Sequence, residues 1–348
     1  MTTPIKTALC SFGMSGLVFH SPFLSINPGF NFYAVWERTK NEAQKKFPNV
    51  ITYRSLDEML SDELVELVIV NTPNYTHFEY AQKALQAGKH VIVEKPFTVT
   101  VKEAQQLIEL AKKKNKILSV YQNRRYDSDY KTIKKVLDKK LLGAVVEAEF
   151  HFDRYREDLS PKQHKEIPGP GTGVLYDLGA HLIDQALQLF GWPAKLFADI
   201  RIIRPVSKVD DYFEVLLYYP NLRVRLKASY SVREALPGYI IHGLKGSFIK
   251  PKTDVQEALL QAGNIPGGPD WGTEPETEKG LLHTEINGVE ERKYIDSEQG
   301  NYDDYYSGIY EAIRNNKPVP VTADEGMNVI RVIEAAFESS KAQKVVQL

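Results

Sequence analysis

The sequence predicts an α/β protein in two parts: a doubly wound parallel sheet, then an α+β domain with a mostly antiparallel sheet. Three observations carry that reading. Up to about residue 125, short apolar or β-branched runs alternate with helix-patterned segments, the signature of a parallel sheet covered on both faces. From Val145 onward, strand candidates follow one another with a single long helix between them, as in an antiparallel sheet with segregated helices. Finally, 348 residues is too long for one ordinary core, so two domains are expected, residues 1–125 and 126–348.

In the first domain, Thr7 to Cys10 is a short apolar strand that runs into Ser11-Phe12-Gly13-Met14-Ser15-Gly16. A helix from Gly16 to Ile26 follows, its length limited by Pro22. Asn27-Pro28-Gly29 marks a turn, and Phe30 to Trp36 is an aromatic, β-branched strand. Helices at Asn41–Lys46, Leu56–Leu60, Thr76–Ala87 and Val101–Lys114 then alternate with strands at Val50–Tyr53, Leu67–Asn71, Val91–Glu94 and Ile117–Tyr121. A helix from Ser128 to Asp138 opens the second domain. Its strands are expected at Val145–Asp153, Leu196–Arg204, Phe213–Tyr219, Arg223–Ser231 and Tyr239–His242, with a helix at Leu175–Phe190. Residues Gly263–Gly280 read as a Gly/Pro-rich surface loop in which Trp271 caps either a site or an oligomer contact. The last helix, Ala323–Lys341, shows apolar residues at mostly helical spacing and is assigned to packing alone.

Bulk composition removes several function classes. A net charge of −1 makes no field for nucleic acid or an acidic membrane. One cysteine, Cys10, rules out an intrachain disulfide framework and a cysteine zinc site, and suits a reducing compartment. No apolar run approaches the roughly 18 residues of a membrane span, and the N-terminus lacks a signal-peptide core. A cytoplasmic protein is expected.

Val91-Ile92-Val93 reads as a buried strand, and Glu94-Lys95-Pro96 follows where it ends. Ligands of open α/β sheets lie beyond the carboxyl ends of the strands, so Lys95 points toward a ligand and Pro96 stiffens the exit. Ser11-x-Gly13-x-x-Gly16 is one residue short of the dinucleotide fingerprint, with Ser11 in place of the first glycine. The glycines of that motif let backbone approach a pyrophosphate seated on a helix N-terminus. Glu37 stands 21 positions after Gly16 at the end of the second strand, about the spacing of a ribose-binding carboxylate in a Rossmann-type domain. Such a carboxylate would favour NAD, repelling the 2′-phosphate of NADP by about 4 kcal/mol at ~4 Å and a dielectric of about 20. Adjacent Arg38 argues the other way, since a guanidinium pairs with phosphate or stacks on adenine. Both cofactors stay open. Asn71-Thr72-Pro73 at the next strand end offers amide and hydroxyl groups to cofactor phosphates or ribose, and His77 opens the following helix either as a cofactor contact or as a buried helix-terminal histidine.

In the second domain, Gly169-Pro170-Gly171-Thr172-Gly173 leads into Tyr176-Asp177-Leu178-Gly179-Ala180-His181. Asp177 and His181 are i and i+4 on one helical face, with Asp184 one turn further. A carboxylate there can orient an imidazole and bind a substrate hydroxyl. Oxidising an alcohol with a nicotinamide needs a base for the hydroxyl proton, and a lysine stabilises the developing alkoxide. Strand-end positions nominate substrate contacts: Tyr121, Asn123 and Arg124, then Asp153, Arg154, Tyr155 and Arg156. No third ligand accompanies Asp177 and His181, so no metal is expected.

With these residues placed, the chain resembles the Gfo/Idh/MocA oxidoreductases over its whole length. The resemblance rests on the near-fingerprint Ser11–Gly16, on Glu94-Lys95-Pro96 and on Asp177-x-x-x-His181 behind a glycine-rich loop. Within the family, Gly13–His20, Asn123-Arg124-Arg125, Tyr176–Gln185 and Pro320–Gly326 look most like the NADP-linked scyllo-inositol dehydrogenase branch. The resemblance implies that Lys95 is the catalytic lysine, His181 the proton acceptor and Asp177 its orienting or substrate-binding partner, with Glu94 in the cofactor site. It also implies an open sheet in the second domain that packs against other subunits in a homodimer or homotetramer. The expected function is NAD(P)-dependent oxidation at a secondary hydroxyl of a cyclic polyol or sugar. The alternative is a cofactor-binding sensor without turnover, against which Lys95, Asp177 and His181 stand together.

Overall fold

The computed structural model describes residues 3–160 and 163–348, which divide into two compact units. In the first, β1 (Ile5–Leu9), β2 (Phe30–Trp36), β3 (Ile51–Tyr53), β4 (Leu67–Val70), β5 (His90–Glu94) and β6 (Leu118–Tyr121) form one sheet in the order β3-β2-β1-β4-β5-β6. Every pairing in it is parallel. The connecting helices are α1 (Ser21–Ile26), α2 (Glu42–Lys46), α3 (Leu56–Ser61), α4 (His77–Gln86) and α5 (Val101–Lys114). Leu67–Val70 and Val91–Val93 are fully buried, as the continuous apolar runs of a sheet covered on both faces require. Helices α3 and α5 each begin with a capping box, Ser55 with Glu58 and Thr100 with Glu103.

The second unit is a nine-stranded sheet. Its strands are β7 (Val145–His151), β8 (Lys195–Arg201), β9 (Tyr212–Tyr218), β10 (Arg223–Ser229), β11 (Tyr239–Gly243), β12 (Gly246–Lys250), β13 (Gly280–Ile286), β14 (Val289–Ile295) and β15 (Val346–Gln347). They lie in the order β14-β13-β12-β11-β7-β10-β9-β8-β15, antiparallel except where β7 meets β10. Alternation works as expected: Phe213, Val215 and Leu217 of β9 and Val224, Leu226 and Ala228 of β10 are buried. The opposite face carries the half-buried ladder Glu149–Arg225–Glu214, with ion pairs at 2.6 and 2.9 Å. Helices α6 (Ser128–Asp138), α7 (Gln163–Glu166) and α8 (Ala180–Phe190) complete this part, and Arg125 grips Asp184 of α8 through two buried bonds of 2.8 and 2.6 Å. Strands β12 to β15 were not expected. In β14, VEERKYI, no residue is buried, so no alternation marks it.

Two features depart further from the expected plan. Each long helix that should carry a site is split. Gly16–His20 is a π-helical turn ahead of α1, and Leu175–Gly179 is another ahead of α8. The first lets Pro22 fall in the opening turn of α1, where a missing N–H costs nothing. The chain also returns to the first unit after leaving it. Residues Val255–Trp271 and Asn301–Met327 belong there, while Arg124–Asp254, Gly272–Gly300 and Asn328–Leu348 make the second. The second unit is thus built from three separate stretches of chain. The returning helices are α9 (Gln256–Gln261), α10 (Asp303–Asn315) and the first turn of α11 (Ala323–Ala342). Periodicity shows that α10 has an apolar face but not which core it covers: Tyr302, Tyr305 and Tyr306 are fully buried. Tyr305 stacks edge-on to Tyr121 at 5.0 Å and bonds Ser119 Oγ at 2.8 Å. Trp271 is buried and bonds Gln256 at 3.3 Å, so it packs inside the first unit rather than capping a site or oligomer contact.

Tyr305→Ala should therefore unsettle the nucleotide half of the chain although it lies 180 residues beyond it. A loss of about 3 kcal/mol or more is expected in urea unfolding.

Candidate active site

In the first unit the candidate residues lie at the carboxyl ends of β1, β4 and β5. Ser11 follows β1 and replaces the expected glycine without opening the turn, because its Oγ accepts the Gly13 N–H at 3.1 Å. Gly13 and Met14 are exposed, and Gly16 is buried. A Cβ on Gly16 would stand 2.5 Å from the Ser11 carbonyl oxygen, so position 16 tolerates glycine alone. Asn71 donates through Nδ2 to that same oxygen at 2.8 Å. Its Oδ1 is buried with no partner among the described residues, an acceptor awaiting a donor. The residues present fit a dinucleotide: its phosphates would lie against the exposed turn at Gly13 and Met14, and a hydroxyl donor would satisfy Asn71. Thr72 bonds Thr76 at 2.6 Å, and Pro73 supplies a carbonyl to Thr76, which shapes the strand-end loop.

Glu37 is placed differently from its expected role. Its two oxygens accept the backbone N–H groups of Glu42 and Ala43, each at 3.1 Å, so it caps α2. Arg54 ties the loop down by donating to the Glu37 and Lys40 carbonyls at 2.9 and 2.6 Å. Arg38, Thr39 and Lys40 are exposed beside it.

Lys95 leaves β5 half-buried, and the Lys95–Pro96 peptide is cis. Glu94 before it accepts from Ser15 Oγ and His20 Nε2 through Oε1 and from the Lys95 N–H through Oε2 at 3.2 Å. Burial opposes its charge, but His20, Ser15 and Lys95 together hold the carboxyl down at about 2. His77 is fully buried, with ring nitrogens 2.9 Å from the Pro96 and Thr72 carbonyls. Burial pushes its pKa below the usual histidine value. Buried between two strand-end loops, the ring donates to one of these carbonyls and presents no exposed face. Tyr121 is likewise corrected. It is 1% exposed and donates to the Phe19 carbonyl at 3.0 Å, which leaves it no face for substrate. Asn123 is also buried.

The second unit carries its own group of candidate residues. Asp210, which the sequence reading missed, holds the π turn. Its Oδ2 accepts the Leu175 N–H at 2.9 Å and its carbonyl accepts that of Val174 at 2.8 Å. Gly173, at φ +96°, leaves the space for it, since a Cβ there would meet Asp210 Oδ1 at 1.8 Å. The turn presents Asp177, whose Oδ1 accepts from Lys165 of α7 at 2.7 Å. His181 follows in the first turn of α8, 5% exposed, its ring 6.5 Å from Phe152. Around Phe152 three cations gather: Lys252 at 4.8 Å, Arg154 at 5.0 Å and Arg124 at 5.8 Å from the ring centroid. Buried Asp127 lies 3.4 Å from Arg124 and 3.6 Å from Lys252, and burial raises its pKa well above the usual carboxylate value.

Of the substrate candidates, Arg124 and Arg154 thus share a neighbour with His181. Asp153 instead packs 3.3 Å from His151, and Tyr155 sits exposed beneath Arg233 at 4.1 Å. Alternation along the strand end explains this, since successive side chains point to opposite faces. Among the described residues no group of three His, Cys, Asp or Glu side chains converges as a metal site requires. No helix is long and apolar enough to cross a membrane.

A parallel sheet with a glycine turn at its switch point, and a lysine at the neighbouring strand end, define a nucleotide-dependent oxidoreductase scaffold. The chain belongs to the Gfo/Idh/MocA family: the model for the NAD-binding Rossmann fold matches residues 5–122, and that for the C-terminal alpha/beta domain matches 134–348. The scyllo-inositol 2-dehydrogenase (NADP(+)) IolW of Bacillus subtilis is 39% identical over 344 residues, spanning 99% of this chain and 96% of that one. The crystal structure of an oxidoreductase from Bacteroides fragilis superposes with a TM-score of 0.92 at 48% identity, covering 99% of this chain and 100% of the other. The structure of the oxidoreductase yvaA from Bacillus subtilis gives 0.97 at 39% identity, covering 100% and 99%.

Gly16→Ala should weaken dinucleotide binding at least tenfold by fluorescence titration while leaving the circular dichroism spectrum unchanged. Burial pushes the Asp210 carboxyl up to about 6. The folded state thus keeps that proton to higher pH than the unfolded chain does. The stabilisation is complete below about pH 4 and is lost as pH rises through 6, by up to about 3 kcal/mol. Asp210→Asn keeps the acceptor for Leu175 and should remove this slope from a plot of stability against pH.

Proposed function

We propose that the chain is an NADP(H)-linked dehydrogenase acting on a secondary hydroxyl of a cyclic polyol or sugar. The observation that carries the reading is Lys95 beside the fingerprint turn, next to a carboxylate kept charged in a buried position. The likeness to an inositol dehydrogenase supports the substrate class. When bound, the nicotinamide accepts a hydride from the carbinol carbon. In this reading Lys95 donates to the substrate oxygen and stabilises the alkoxide as the C–H bond breaks. His181 takes the hydroxyl proton, so a ketone is left. Asp177 accepts from a neighbouring hydroxyl, and Lys165 keeps that carboxylate charged until substrate arrives.

The NADP preference rests on Glu37. Two N–H groups and the N-terminus of α2 already offset its charge, so its repulsion of a 2′-phosphate is small. Exposed Arg38 and Lys40 then favour the phosphate. We also propose that the chain works in the cytoplasm as a homodimer or homotetramer, joined through the face of the nine-stranded sheet that bears Glu149, Arg225 and Glu214.

His181→Ala should lower kcat by about 10² to 10⁴ on a verified polyol, the usual worth of a general base. Lys95→Ala should cost at least as much with NADPH affinity kept. Either variant turning over at the wild-type rate would remove that residue from the mechanism. NADPH should bind at least tenfold tighter than NADH, and Arg38→Ala should erase most of the difference. Tighter binding of NADH would return Glu37 to the ribose.

A further inference from the structure

His20 ends the first π turn, is completely buried, and has no part in the chemistry above. Its Nε2 lies 3.0 Å from Glu94 Oε1, and its Nδ1 lies 2.7 Å from the Tyr306 hydroxyl. A charged carboxylate has no proton to give, so Nε2–H donates to Glu94. Behind it, the Tyr121 hydroxyl donates to the Phe19 carbonyl at 3.0 Å, and the Tyr306 hydroxyl, 2.9 Å from the same carbonyl, has a single proton to share between that oxygen and Nδ1. The Tyr121 ring packs on the imidazole at 4.7 Å. These contacts fix the ring with Nε2–H toward Glu94.

The groups that face Glu94 come from several elements. Ser15 and His20 come from the glycine turn, and Lys95 from the exit of β5. The charge of Glu94 is also felt by His77 of α4, and Tyr306 of α10 reaches it through His20. Among the described residues His20 joins the carboxylate to the Tyr121 and Tyr306 side chains. Without it, Glu94 would keep one hydroxyl donor on Oε1 in a site where burial penalises its charge, and would swing away or take up a proton.

We infer that His20 is a positioning residue for Lys95: by holding Glu94 in place it keeps a negative charge on the residue that precedes the lysine at the exit of β5. The inference rests on the role given to Lys95 above, and its test does not need substrate or nucleotide. Competitive acetylation of the full-length protein with acetic anhydride, read by peptide mass spectrometry across pH, reports the ionisation midpoint of Lys95. His20→Ala should move that midpoint down by about one pH unit, a tenfold change in proton affinity. His20→Gln, which restores an N–H donor, should recover most of the shift. Glu94→Gln should reproduce it, and the His20→Ala/Glu94→Gln pair should add nothing further. With an active substrate, the alkaline limb of kcat should move by the same amount while KM for NADPH holds.

A folded His20→Ala protein whose Lys95 titrates like the wild type would overturn the inference. If that variant does not fold, Glu94→Gln decides, and an unmoved Lys95 midpoint there overturns it equally. Failure to find any dehydrogenase activity would sink the proposed function but leave the labelling result standing.

Discussion

A negative charge at the end of a buried strand must be surrounded by donors, and much of the first unit is arranged to surround the one on Glu94. The requirement places Ser15 inside the glycine turn and His20 at the end of a π turn. It places a tyrosine hydroxyl behind the histidine, and that tyrosine lies 286 positions later on α10. The return of the chain to the first unit after residue 300 is thus tied to the same charge that borders Lys95. Stability and chemistry share these residues, because the aromatic side chains that fill the core also fix the polar groups at the strand end.

Much of this fold was legible as period. The parallel strands are unbroken apolar runs, and β9 and β10 alternate cleanly, so the type of each sheet could be read. What stayed hidden lacked a periodic mark. Strand β14 is charged on both faces, and the π turns read as ordinary helix because one extra backbone step leaves no trace in composition. At the site, Lys95 and the Asp177–His181 pair were visible because their spacing to strand ends and loops is short-range. Glu37 stands at the expected distance from Gly16, yet it caps a helix five residues on, and spacing cannot separate the two uses. Asp210, Lys252 and Tyr306 reach their places only through tertiary packing, which no window on the chain contains.

The two units differ in their chemistry. The first provides a glycine turn, a buried amide acceptor and a half-buried lysine at strand ends. The second provides a histidine, a carboxylate paired to a lysine, and three cations around one phenyl ring. Two of those cations, Arg124 and Lys252, lie against Asp127, whose charge burial opposes.

Both histidines of interest lie at the end of a π-helical turn: His20 closes Gly16–His20, and His181 comes two residues after Leu175–Gly179. Such a turn holds one residue more than the α-helical turn it replaces, and one residue of α-helix is a rotation of about 100°. Each turn therefore works as a phase shifter between a rigid helix and the loop ahead of it. Deleting a single residue from either would restore regular hydrogen bonding and still dismantle the site, since Ser15 or Asp177 would be swung to a different bearing from the histidine behind it.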